Sequence, residues 1–100
     1  MIRGTTPTHR FKLPIDQTII QSLRVIYAQG GTKVLVKELE DFELSDGWAE
    51  TKLSQEETIA FDASQVVEMQ MRILTAGGDA LASGIHRTIV GRMLENEVME

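Results

Sequence analysis

The sequence predicts an all-β domain, an antiparallel β-sandwich of about seven or eight short strands with one short helical turn. Three observations lead to this prediction. Apolar and polar residues alternate with a period of two along several stretches, as in strands that bury one face. Turn residues recur roughly every ten residues, and no strand–helix–strand rhythm interrupts them. One hundred residues fit a single domain, residues 1–100.

The segment THRFKLP is predicted to form the first strand. His9, Phe11 and Leu13 share one face, and polar residues lie between them. The strand is expected to end at the proline, which has no N–H group for a sheet. The following IDQTIIQS is expected to be a connector or a short helical turn.

Glycine-containing turns predict two hairpins in the middle of the chain. Residues 22–39 form the first hairpin, which turns at Gly30-Gly31, because glycine pairs supply the positive φ that tight hairpin turns require. Residues 42–53 form the second, which turns at Asp46-Gly47. The core positions predicted in the second hairpin are Phe42, Leu44 and Leu53.

A capping box and a second glycine pair organise the rest of the chain. Ser54 followed by Glu57 predicts a short helix over residues 56–60. An alternating strand, VVEMQMRILT, follows and turns at Gly77-Gly78. These glycines are not expected to cradle a phosphate, because strands flank them and no Gly-Lys-Ser/Thr follows. A last strand or pair of strands, with a bulge at Gly84, completes the fold.

Composition excludes several classes of protein. The formal net charge is −5 at pH 7, whereas nucleic-acid binders need a basic face. The absence of cysteine excludes disulfides and thiolate metal sites. No apolar run approaches the roughly 20 residues that span a bilayer, and the N-terminus has no apolar signal core. We therefore expect neither nucleic-acid nor membrane partners.

Charge is distributed unevenly along the chain. Residues 1–37 carry six basic side chains against the single acid Asp16, and residues 38–68 carry most of the remaining acid. Two interpretations stay open. The acidic residues form a solvated face, or the two regions are complementary surfaces that meet between neighbouring subunits.

No residue pattern indicates catalysis. His9 lies on the inward face of the first strand and His86 within a late strand, and a metal site would need a third ligand that the pattern does not supply. No Gly-x-Ser-x-Gly motif occurs, and Ser83-Gly84 is better explained by a bend. We expect no metal, no cofactor and no enzymatic activity.

The candidate interaction residues are Trp48, Glu38, Glu40, Glu43, Met93 and Leu94. Trp48 follows the Asp46-Gly47 turn, where an aromatic ring can stack on a sugar or a partner, or fold back over the core. The acidic run ELEDFEL is expected to be a solvated edge, because it offers no cleft for acid–base chemistry and lacks calcium-ligand spacing. The tail from Met93 can dock on its own sheet or on another subunit.

Several motifs carry a family resemblance. RGTTPTHRFKLP, LSQEETIAFD, the pair Gln70 and Arg72, and IVGRMLENEV resemble small prophage-encoded proteins of Gram-positive, chiefly clostridial, bacteria. The resemblance covers almost the whole chain, and none of its motifs is catalytic. The turn DGWAET departs from the family pattern, so the resemblance implies no role for Trp48. It does imply a phage virion or tail-region accessory protein.

These inferences together predict a non-enzymatic phage structural or accessory protein with an immunoglobulin-like sandwich. It would act through protein–protein assembly at the tail or baseplate, with phage tail components or further copies of itself as partners. We expect it in the host cytoplasm during assembly and in the virion. The alternative is a carbohydrate- or host-surface-binding module that uses an exposed Trp48.

Overall fold

The computed structural model describes residues 1–94 and 97–99. That part of the chain forms eight strands in two antiparallel sheets, with one short α-helix and two short 3-10 turns. The strands are β1 Thr8–Lys12, β2 Ile20–Gln29, β3 Thr32–Glu38, β4 Glu43–Ser45, β5 Trp48–Lys52, β6 Val66–Thr75, β7 Ala80–Ala82 and β8 His86–Ile89. The helix α1 spans Gln55–Ile59, and the 3-10 turns span Gln17–Ile19 and Leu39–Asp41.

The order of the strands confirms the predicted fold class. The smaller sheet has the order β1-β5-β4, and the larger sheet has the order β3-β2-β6, with β7 and β8 both paired to β6. In the described residues this order matches strands B, E and D of one immunoglobulin sheet and strands C′, C, F and G of the other. The chain is therefore an immunoglobulin-like β-sandwich.

The predicted hairpin turns are confirmed, and their backbone angles explain the residues found there. Gly30 and Gly31 have φ of +56° and +80°, and Asp46 and Gly47 have φ of +50° and +81°. Glycine adopts such angles without a steric penalty, and aspartate tolerates them better than most residues. The connector before β2 contains a single 3-10 turn whose N-cap is Asp16.

The last strand is interrupted, as the sequence predicted, around Gly84. β7 and β8 lie one after the other along β6, and residues 83–85 break the ladder between them. Ser83 bridges the break, because its hydroxyl accepts the Met71 N–H at 3.0 Å and its own N–H donates to the Met71 carbonyl at 2.9 Å. A side chain thus replaces a missing backbone partner.

The core lies between the inward faces of the two sheets. The fully buried side chains include Leu23, Val25, Tyr27, Leu53, Phe61, Val67 and Val90. The predicted core position Leu53 is confirmed, and Phe42 and Leu44 pack against the core while half-buried. The inward face of β6 is confirmed as well, with Met71 and Ile73 buried.

The capped helix lies one residue earlier than predicted. Ser54 accepts the Glu57 N–H at 3.1 Å, and the Glu57 carboxylate accepts the Ser54 N–H at 2.8 Å. This capping box makes Gln55 the first helical residue, so α1 ends at Ile59 and not at Ala60. The box itself was correctly identified from the sequence.

Candidate functional site

Trp48 lies on the outer face of the smaller sheet, because its neighbour Ala49 is fully buried on the inner face. The guanidinium of Arg10 lies 4.4 Å from the centre of the indole ring, and it pairs with Glu50 at 2.6 Å. The ring is therefore half-buried with a cation–π partner on one face. The ring is thus only partly exposed, and its role in interaction stays a prediction.

The three candidate glutamates do not form one acidic strand. Glu38 ends β3 in the larger sheet and accepts the Arg24 Nε–H at 3.1 Å. Glu40 is exposed in the Leu39–Asp41 turn, which leads from the larger sheet to the smaller. Glu43 begins β4 in the smaller sheet, where it lies across from Glu50. The 3-10 turn separates residues that the sequence pattern placed together.

The tail is partly anchored on the domain itself. Met93 is half-buried, and its thioether fills the space that a side chain at Gly4 would occupy. Leu94 is 95% exposed. Further along, the Gln55 amide donates to the Met99 carbonyl at 3.1 Å and accepts the Met99 N–H at 2.8 Å. The tail therefore docks on its own α1 at Met99.

The histidine of the first strand has a packing role. His9 Nδ1 lies 2.8 Å from the Tyr27 hydroxyl, between the two sheets. Burial lowers the pKa of His9, and the positive charges of the N-terminus and Lys37 lower it further. Within residues 1–94 and 97–99, no group of three or more His, Asp or Glu side chains could hold a metal ion.

The outer face of the larger sheet combines apolar side chains with charged ones. Its outward apolar side chains alternate with the buried ones along the same strands. They are Ile26, Ala28, Val36, Val66, Leu74, Ala80, Ala82 and Ile89. Ile89 is 65% exposed, and Ile85, in the gap between β7 and β8, is 49% exposed. Apolar side chains exposed on a sheet face are candidates for burial against a partner.

Two arginines face each other across the centre of this surface. Arg24 on β2 and Arg72 on β6 are direct cross-strand partners. Arg24 pairs with Glu38 at 3.1 Å. Arg72 has no ion pair and no side-chain hydrogen bond with any described residue. Because opposed like charges destabilise a sheet, an anion beside Arg72 would be favourable.

Two shallow surface pockets, here called hollows, lie on either side of the Arg24–Arg72 pair. One has a volume of about 300 Å³ and includes Ile26 and Ile85 in its lining. The other has a volume of about 310 Å³ and includes Leu74. Arg24 and Arg72 line both of them. The surface therefore offers apolar depressions on either side of a cationic centre.

The same face is basic although the chain is acidic. Its charged residues are Arg24, Arg72, Arg87, Lys33, Glu38 and Glu68. Four cations and two carboxylates give this face a net charge of +2, against −5 for the whole chain. The outer face of the larger sheet is therefore positively charged within an acidic chain.

The sequence-based selection of interaction residues missed this face. Two signals were present. The run VIYA, residues 25–28, is apolar at both inward and outward positions, which indicates a strand with two apolar faces. The pair Gln70 and Arg72, one of the motifs of the family resemblance, lies at the centre of the face. The sequence pattern explains both the apolar run and the Gln70–Arg72 pair as parts of strands, without any interaction role.

Comparison with known proteins assigns no function to this chain. No protein-family model and no curated protein sequence matches the chain. The V domain of amphioxus IgVJ-C2 is a similar solved structure, with a TM-score of 0.37 and 13% sequence identity over 90% of this chain and 96% of that one. At this level the likeness concerns the fold alone. In the described part of the chain no helix is long and apolar enough to cross a membrane.

Proposed function

We propose that this chain is a non-enzymatic phage structural or accessory protein that binds another protein through the outer face of its larger sheet. The observation that carries the proposal is a sheet face on which exposed apolar side chains lie beside an arginine without an acidic partner among the described residues. Burying such a face against a second protein removes apolar area from water and neutralises Arg72.

The chemistry of the face defines the partner. It must present apolar side chains to the two hollows beside the arginine pair. It must also present a carboxylate to Arg72, which a guanidinium binds in a two-pronged geometry. The net charge of +2 on this face favours an acidic contact surface and disfavours a basic one.

The phage context of the proposal comes from the sequence resemblance. RGTTPT at the N-terminus, the capped segment LSQEETIAFD and the Gln70-x-Arg72 strand are the motifs that carry it. A tail or baseplate component is the partner that this context implies. The carbohydrate-binding alternative is less favoured, because Arg10 already covers one face of the Trp48 ring.

The test is selective capture of a virion protein. Tagged wild-type protein, Arg72→Glu and Lys52→Glu are incubated with extracts of host cells after prophage induction, and bound proteins are identified by mass spectrometry. Lys52 is the matched control, since it is an exposed cation on the outer face of the smaller sheet. We expect the wild type and Lys52→Glu to retain a tail or baseplate protein.

Arg72→Glu should reduce that capture by at least about tenfold, because the reversal places like charges in contact. Trp48→Ala should leave it unchanged. Equal capture by Arg72→Glu, or recovery of no virion protein by the wild type, would contradict the proposal. Loss of capture with Trp48→Ala would move the contact to the outer face of the smaller sheet and would contradict the proposal as well.

A further inference from the structure

The smaller sheet has an open edge at β1. β1 pairs with β5 on one side and with no other strand in the described part of the chain. In a complete immunoglobulin sandwich the first strand lies beside this position. Here the chain start turns to the other sheet, where Ile2 forms a bridge with Gly91 and Arg3 donates to the Gly91 carbonyl at 3.1 Å.

The backbone geometry shows which groups of β1 are available. The Leu13 N–H donates to the Gly47 carbonyl at 2.8 Å, and the Leu53 N–H donates to the Pro7 carbonyl at 2.9 Å. Hydrogen-bonded and non-hydrogen-bonded pairs alternate along an antiparallel ladder. The N–H and C=O groups of Thr8, Arg10 and Lys12 therefore point away from β5, towards an added strand.

An apolar cleft lies along this open side of the sandwich. It has a volume of about 360 Å³, and its apolar lining is Phe11 from β1 with Met69 and Met71 from β6. His86 at the start of β8 forms the far rim. A strand added to β1 would place alternate side chains over this cleft, so the edge offers both backbone partners and apolar area to bury.

The opposite edge of the same sheet is acidic. Among the described strands β4 pairs with β5 only, and it carries Glu43 on its outer face beside the exposed Glu40 and Asp46. These three carboxylates have no ion pair with a described residue. Leu44, between the outward Glu43 and Ser45, faces inward. β4 thus has an acidic outer face and an apolar inner one.

Charge selects between the possible pairings. Two β1 edges paired with one another would bring together the cationic side chains of Arg10 and Lys12, which is unfavourable. A β4 edge placed beside β1 sets Glu43 on the same outer face as Lys12, and it sets Leu44 on the same inner face as Phe11. Apolar and charged groups are complementary in this arrangement alone among the edge pairings of the smaller sheet.

We propose that copies of this protein associate head to tail, with β4 of one copy added to the β1 edge of the next. The occupant of the β1 edge is therefore a second copy of this chain. The contact is heterologous, so a pair of copies keeps one free β1 edge and one free β4 edge, and association continues as a ring or a filament. This surface is separate from the outer face of the larger sheet, so the two proposals fail independently.

A charge exchange tests the proposal. Sedimentation equilibrium on the full chain, from roughly 10 µM to 1 mM, should show a mass that rises with concentration for the wild type and falls with added salt. Lys12→Glu and Glu43→Lys should each weaken association by at least about tenfold. The double variant Lys12→Glu/Glu43→Lys should regain it, because it restores opposite charges across the contact.

Matched variants keep the outcome specific. Lys12→Pro removes an N–H that faces the open edge and leaves the β1–β5 ladder intact, so it should abolish association, whereas Lys12→Thr should only weaken it. Lys52→Glu and Arg72→Glu should have no effect. Circular dichroism checks that each variant folds. If Lys12→Pro does not fold, the charge-exchange variants still test the proposal. A wild type that stays monomeric, or a double variant that does not recover, would overturn the proposal.

Discussion

At the scale of single residues, the His9–Tyr27 contact shows why a polar pair can occupy this core. Tyr27 is fully buried, and its hydroxyl lies 2.8 Å from His9 Nδ1. Each ring satisfies the polar atom of the other, which avoids the cost of an unpaired buried group. Burial raises the pKa of Tyr27 and lowers that of His9, so both groups are held in their neutral forms.

The lowered pKa of His9 predicts acid sensitivity. In the unfolded chain His9 takes up a proton near its ordinary pKa of 6.5, whereas the folded protein takes it up only at lower pH. The unfolded state therefore binds more protons below that value, and the free energy of unfolding decreases as the pH falls from 6.5 towards the lowered pKa. Urea unfolding at several pH values from neutral to acidic measures this slope.

The control for this prediction separates His9 from the other histidine. His9→Gln should flatten the dependence on pH, since it removes the group that titrates, although it also lowers stability at neutral pH. His86→Gln, at an exposed position on β8, should retain the slope of the wild type. An equal slope in His9→Gln and the wild type would show that another group is responsible.

At the scale of elements, one ion pair fastens the short helix to the larger sheet. Lys37 on β3 points inward with a side chain that is 9% exposed, and its ammonium lies 2.8 Å from the Glu57 carboxylate of α1. Burial alone would raise the pKa of Glu57, but hydrogen bonds from Lys37 and Ser54 outweigh it and lower the pKa. Glu57 therefore caps α1 and neutralises a buried lysine at the same time.

The double role of Glu57 predicts unequal effects of substitution. Glu57→Ala breaks the capping box and leaves Lys37 buried without its partner, so it should lower the free energy of unfolding by about 3 kcal/mol. Ser54→Ala removes only the cap hydroxyl and should cost about 1 kcal/mol. Ser45→Ala, at an exposed position on β4, is the control and should cost almost nothing. Equal losses for Glu57→Ala and Ser54→Ala in urea unfolding would show that the ion pair contributes nothing.

Two glutamine side chains anchor the segments around α1 with the same pair of hydrogen bonds. The Gln29 amide donates to the Asp62 carbonyl at 2.9 Å and accepts the Asp62 N–H at 2.8 Å, which joins the end of β2 to the loop after the helix. Gln55 makes the same pair of bonds with Met99. In both places a primary amide satisfies one N–H and one C=O group that no strand reaches.

At the scale of the whole molecule, the first residues pack against the segment that follows β8. Gly91 donates to the Met1 carbonyl at 2.6 Å and accepts from Arg3 at 3.1 Å. Gly4, with φ of +75°, lets the chain turn away towards β1 while the Met93 side chain fills the space beside it. This junction diverts the chain start from the smaller sheet and leaves the β1 edge open.

The junction predicts a large effect from a small substitution. Gly4→Ala places a methyl group into the Met93 thioether at a φ that L-residues disfavour, so it should lower the free energy of unfolding by more than about 1 kcal/mol. Gly84→Ala is the matched control, since its φ is not positive and its surroundings are open. Urea unfolding of both variants measures the difference. A Gly4→Ala protein as stable as the control would mean that the junction relaxes freely.

The sequence determined the local structure because local rules control it. Alternation set the inward faces of β1 and β6, positive φ at Gly30 and Gly31 set a hairpin, and the Ser54–Glu57 pair set the start of α1 to within a residue. None of these features depends on residues far away along the chain. The fold class followed, because alternating strands with such turns bury their apolar faces only as stacked sheets.

Only the tertiary structure decided which surfaces are exposed and which charges remain unpaired. Periodicity does not show that Lys37 is buried against Glu57, that Arg10 covers Trp48, or that the run from Glu38 to Glu43 is divided between two sheets. It does not place Arg72 across from Arg24 either. Each of these depends on the register between distant strands, which is fixed by the packing of the whole core.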